Sequence, residues 1–189
     1  MQNLHRNAYL IGALLLAMWL VRVVDATIPY DLNQWGLVPR SLWGLAGILT
    51  MPFLHDGFVH LFRNTASLAL LLFIVSGTRR DPWPVIGMTA LLGSGLLWLV
   101  GRGAIHIGAS GLVFGLIGLL ITSGFLHKRM LSVAVAIGVG ILFGGTILWG
   151  ILPLGGEVSW DGHLTGLLGG IAAAFAEQKL PSRNPATSR

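Results

Sequence analysis

A chain of 189 residues with 54% apolar and only 10% charged side chains lies outside the soluble globular range, where charged residues make up about a quarter. The formal charge of +5 sits in single residues and pairs at the ends of apolar runs, not in a basic stripe interleaved with aromatics, which argues against a nucleic-acid partner. The absence of cysteine excludes a disulfide framework, a thiol nucleophile and cysteine-bound metal.

Crossing the hydrocarbon takes about 20 largely apolar residues. Six segments qualify, at about 7–24, 61–76, 83–100, 110–126, 131–148 and 162–176. They predict an all-α polytopic membrane protein, one bundle domain over 1–189 with a disordered tail at 181–189. The 27 glycines fit this plan, because small residues let membrane helices approach closely. Placing the N-terminus in the cytoplasm puts Arg6, Arg79, Arg80, Lys128, Arg129, Lys179, Arg183 and Arg189 inside, against Arg22, Arg40, Arg63 and Arg102 outside. The excess of inner basic residues predicts both termini in the cytoplasm and the segments at 110 and 162 beginning at the outer face.

The first segment also has the look of a cleavable signal peptide, with His5 and Arg6 ahead of the run from Tyr9 to Val21 and Val24-Asp-Ala26 behind it. After it comes a long connection from Asp25 to His60. Within that connection Ser41 to Thr50 is too short to span and reads as an interfacial stretch, with Trp35 and Trp43 suited to the headgroup level.

At the start of the second segment stands His55-Asp-Gly-Phe-Val-His60-Leu-Phe-Arg-Asn64. His60 and Asn64 share a helical face and can donate hydrogen bonds toward one point, as stabilisers of a developing oxyanion do. His55 is a candidate for ordering this stretch, or a solvent-exposed histidine. The histidines show no zinc-ligand spacing, and no metal or cofactor is expected.

The fourth segment opens with His106-Ile-Gly-Ala-Ser110-Gly. Gly108 and Gly111 flank a hydroxyl at the entry to a helix, where crowding is low and the free backbone N–H groups can receive an oxyanion. Phe114 is one turn on, on the face of Ser110. The sixth segment opens with Trp-Asp-Gly-His163-Leu-Thr-Gly166-Leu-Leu-Gly-Gly170, so that a histidine and two bare backbone positions line one face. An ionisable residue at membrane depth is a functional candidate, and His163 is a possible base for Ser110. Asp161 reads as a loop residue.

His60-x-x-x-Asn64, Gly108-x-Ser110-Gly111 and His163-x-x-Gly166-x-x-x-Gly170 fall in segments two, four and six, and in that order the chain resembles the rhomboid intramembrane serine proteases across nearly its full length. The resemblance implies a six-helix core and a serine-type endopeptidase that cuts transmembrane protein substrates in the lipid bilayer of a bacterial inner membrane. It implies Ser110 as nucleophile, His163 as its base, and His60, Asn64 and the Gly108 to Ser110 backbone around the oxyanion, with Phe114 packing on the histidine where many members carry Tyr. Gly111, Gly166, Gly170 and His55 would support the site. A substrate would enter past the glycine-rich fifth segment. The Trp-Arg pair of some members is represented here only by the separated Arg40 and Trp43. Two other classes stand beside this one. A small transporter would predict no particular serine, and a client-binding relative without protease activity typically lacks the serine or the histidine. Oligomeric state and natural substrate have no signature in the sequence.

Overall fold

The computed structural model describes residues 2–153 and 159–179. The tail 181–189 lies outside the described residues. The chain forms α1 (Gln2–Thr27), α2 (Gly47–Thr50), α3 (Phe58–Thr78), α4 (Trp83–Val100), α5 (Ser110–His127), α6 (Met130–Ile151) and α7 (Trp160–Lys179). Several boundaries have a local cause. Pro29 stops α1, Pro84 lies in the first turn of α4, and Lys128 ends α5 in the left-handed conformation (φ 51°). Gly101 follows α4, and the side chain of Arg40 reaches across to the carbonyls of Leu99 (3.3 Å) and Gly101 (2.7 Å). Arg40 therefore covers the end of α4, a role hidden in its separation from Trp43 along the chain.

Five helices are long and apolar enough to cross a bilayer: Leu4–Thr27, Phe58–Thr78, Trp83–Val100, Ser110–His127 and Met130–Ile151. The 20 residues of α7 span about 30 Å at 1.5 Å per residue, enough to cross as well. Its polarity is accommodated because Asp161, Gly162, Thr165, Gly166, Gly169 and Gly170 are buried against other helices. The protein is a multi-pass membrane bundle of helices.

The bundle is organised around α5 and α7, with α4 against α7, α3 against α5, and α1 along α3. Ile11 and Met18 of α1 belong to the common core, and Trp19 donates to Thr65 of α3 (3.1 Å), so the first segment is packed as a bundle helix. At the end opposite Ser110, Arg79 grips Glu177 of α7 through Nε and Nη2 (2.9 and 3.0 Å) and donates to Ser123 of α5 (2.8 Å). In the first connection, Leu42, Trp43 and Leu49 point outward while Gly44, Gly47 and Met51 are buried. Leu37 pairs through its backbone with His106 and so fastens this connection to the loop before α5.

Candidate active site

Glycine decides how close α5 and α7 come. A Cβ on Gly166 would collide with the Gly111 carbonyl, and one on Gly170 with the Gly115 carbonyl. Bare backbone at these positions lets the axes close until the first turns of the two helices face each other.

There Ser110 Oγ lies 2.9 Å from His163 Nε2, and His163 Nδ1 lies 2.9 Å from the Gly150 carbonyl at the end of α6. A carbonyl can only accept, so the ring proton is on Nδ1. Nε2 of the neutral ring is then the acceptor for the Ser110 hydroxyl, the arrangement a general base needs. The ring of Phe114 stacks on that of His163, 4.1 Å between centroids and 5° from parallel. Backbone carbonyl and aromatic face together fix the imidazole without a carboxylate.

Gly150 is a site residue that the sequence does not announce. A Cβ there would strike Phe114 Cζ and stand 3.1 Å from His163 Nδ1. A backbone carbonyl belongs to every residue, so its part in the site has no side-chain signature.

Gly108 takes φ +99°, a conformation L side chains rarely adopt, and its N–H donates to the Met51 carbonyl (2.9 Å). The turn brings it under α3. A Cβ on Gly108 would stand 2.9 Å from His60 Nε2 and 3.4 Å from Asn64 Nδ2. Both side chains therefore converge on the small space beside the loop that delivers Ser110. Asn64 is 5% exposed and its Nδ2 has no hydrogen-bond partner among the described residues. His60 Nδ1 lies 2.7 Å from Asp56 Oδ1 and donates to it, leaving Nε2 toward Gly108. Ser110, His60 and His163 keep part of their surface open.

One expectation is narrowed and another changes. His55 is not solvent-exposed: it is 1% exposed, with Nδ1 3.4 Å from the Phe53 carbonyl and its ring edge-on to His60 at 5.0 Å. Burial first, then the neighbouring His60, push its pKa down to about 4. Asp161 is not a loop residue but the second residue of α7, 6% exposed, and its carboxylate accepts the Arg102 backbone N–H at 2.9 Å. Helix α7 starts two residues earlier than the apolar pattern suggests because Trp160 and Asp161 are held by the loop before α5 and not by lipid. Among the described residues no three His, Asp or Glu side chains gather as metal ligands.

The Rhomboid domain family model matches residues 39–179. Uncharacterized proteins of Mycobacterium bovis and Mycobacterium tuberculosis are each 33% identical, aligned over 84% of this chain and 70% of their own. An uncharacterized protein of Mycobacterium leprae is 34% identical over 84% of this chain and 66% of its own.

Proposed function

We propose, from the premise that this chain belongs to the rhomboid family, that it is an intramembrane serine endopeptidase acting through a Ser110–His163 dyad. The observation that carries this reading is the 2.9 Å approach of Ser110 Oγ to His163 Nε2 while Nδ1 is committed to Gly150. In the reaction, His163 Nε2 takes the hydroxyl proton as Ser110 Oγ attacks the scissile carbonyl, and returns it to the leaving amine. A water then attacks the acyl-enzyme with His163 taking its proton, and as the Oγ–acyl bond breaks His163 returns that proton to Ser110 Oγ and the new carboxyl end leaves.

Negative charge develops on the substrate oxygen during attack. Asn64 Nδ2, His60 Nε2 and the N–H groups at the start of α5 are the donors for it. An unpartnered buried donor costs roughly 1–3 kcal/mol in the resting protein, and a substrate oxyanion would satisfy Asn64. His60 supplies an Nε2 proton to that oxygen when its ring is doubly protonated, because Asp56 holds the Nδ1 proton.

The substrates of this reading are transmembrane segments cut near the outer surface of a bacterial inner membrane, with both termini of the enzyme in the cytoplasm. A segment reaching Ser110 must first unwind, which favours Gly, Pro or polar residues around the cut. Entry past α6 fits its place in the bundle: Val139 and Phe143 are its buried residues, and its last turn borders His163 through the Gly150 carbonyl.

The test is reconstitution of wild type, Ser110→Ala and His163→Ala in vesicles with a panel of single-span proteins, products being read by mass. Cleavage by wild type alone supports the dyad. Cleavage by all three, or fluorophosphonate labelling of wild type at a residue other than Ser110, rejects it. A wild type that neither cleaves nor labels favours the client-binding reading.

A further inference from the structure

Ser110 and His163 arrive on different elements, and one buried carboxylate joins those elements just before each of them. Asp161 Oδ2 accepts the backbone N–H of Arg102 at 2.9 Å, and Oδ1 lies 3.3 Å from Arg102 Nε. The same Oδ1 accepts the Ser159 hydroxyl at 3.3 Å. Ser159 Oγ is in turn 2.7 Å from Nδ1 of His106, which is 2% exposed and sits four residues before Ser110. His106 Nε2 lies 3.2 Å from the Arg102 carbonyl and 3.7 Å from Asp161 Oδ2. The His106 backbone is fixed in its turn by two bonds to Leu37, at 2.8 and 2.9 Å.

These contacts do something the glycine packing of α5 on α7 does not. Packed bare backbones set how close two helices lie, but leave them free to slide and turn about their long axes. Charge-assisted hydrogen bonds are directional and fix both. Asp161 is two residues from His163 and is held to the loop 101–109 that ends at Ser110, so its carboxylate sets the height of the base against the nucleophile. A buried carboxylate is stable only while its acceptor sites are filled, which makes this junction one of few geometries open to the two chain segments.

We propose that Asp161 is a positioning residue for the dyad, clasping the Ser110 loop to the first turn of α7 through Arg102, Ser159 and His106. The proposal rests on the Ser–His hydrolase reading. It differs from the role of a third triad member, because the carboxylate acts on the backbone that carries His163 and not on its ring, whose Nδ1 is taken by Gly150.

The experiment compares wild type with Asp161→Asn and Ser159→Ala in the same vesicles. It reads kcat and KM for a cleaved single-span substrate, the rate of Ser110 modification by a fluorophosphonate, and the thermal unfolding midpoint. Displacing a reacting group by about an ångström costs up to roughly 100-fold in rate. Asp161→Asn is expected to lower kcat and the labelling rate together by about tenfold, with KM within about twofold. Ser159→Ala, which removes only the bridging hydroxyl, is expected to lower both by about threefold without lowering the unfolding midpoint. An active wild type and a folded Asp161→Asn with both rates near wild type overturn the positioning role alone. Should Asp161→Asn fail to fold, unchanged rates in Ser159→Ala overturn it. A wild type that neither cleaves nor takes the probe overturns the hydrolase reading and the positioning role with it.

Discussion

Asn64 and Gly108 share one small space: a Cβ on Gly108 would stand 3.4 Å from Asn64 Nδ2, a buried donor with no partner among the described residues. A donor left unfilled in the resting protein is a cost to stability, so its presence points to a step in which it is filled. Asn64→Ala is predicted to leave the unfolding midpoint unchanged or slightly raised while lowering kcat by about 100-fold or more, the usual loss for an oxyanion donor. Gly108→Ala is predicted to lose both activity and stability, because φ +99° disfavours a side chain and its methyl would fill the space. Steady-state kinetics and thermal melts on the two variants check the split. A marked loss of stability in Asn64→Ala with activity intact would make Asn64 a structural residue.

Gly150→Ala tests the carbonyl that sets the tautomer of His163. The added methyl meets Phe114 Cζ and lies 3.1 Å from His163 Nδ1, so the stack and the hydrogen bond must both give way. The expected result is a fall in kcat of about tenfold or more, with the protein still folded, because Gly150 lies in the last turn of α6 and not in the α5–α7 seam. Activity close to wild type would show that the carbonyl is dispensable.

Asp56 holds the Nδ1 proton of His60 across 2.7 Å, with the two side chains 56% and 33% exposed. Partly exposed pairs of this kind contribute up to about 1 kcal/mol, and the freed ring can carry its proton on Nε2, so Asp56→Ala is expected to change kcat by no more than about fivefold in either direction. The sharper readout is nitrogen NMR of the His60 ring. The neutral ring should be protonated at Nδ1 in wild type and shift toward Nε2 in the variant. An identical tautomer in both would rule out control by Asp56.

His55 makes the fold sensitive to acid. An ordinary histidine takes up a proton near pH 6.5, whereas burial and then His60 hold His55 neutral down to about 4. The unfolded chain therefore binds the extra proton first as pH falls. The stability that His55 contributes is fully present above about pH 6.5 and is lost as pH drops toward 4. Unfolding midpoints at pH 7.5 and 5.0 should differ more in wild type than in His55→Gln. Equal differences would show that His55 does not carry the effect.

Apolar run length makes five of the crossing helices legible from sequence, because lipid-facing residues repeat without interruption. Helix α7 is readable only through its glycines and His163, since its apolar face is thin and its burial comes from other helices. Ser110, His163, His60 and Asn64 stand out because polar side chains at membrane depth are costly. Three other parts lack such a mark. The Gly150 carbonyl is invisible in side-chain terms, the burial of His55 depends on where the first connection folds back, and Asp161 looks like a loop carboxylate until Arg102 and Ser159 are brought to it from elsewhere. The reach of Arg79 to Glu177 joins residues 98 apart in sequence and has no local signal.

The bundle is bolted at both ends of its central pair, by Arg79 with Glu177 and Ser123 at one face and by Asp161 with Arg102 and Ser159 at the other. Helix α6 is tied into neither junction, yet its last turn supplies the carbonyl that His163 leans on. If the chain is the protease proposed above, an outward swing of α6 that admitted a substrate would also unhook the base. The catalyst would be switched off while the door stands open and re-armed as it shuts, so that only a captured chain meets a competent serine.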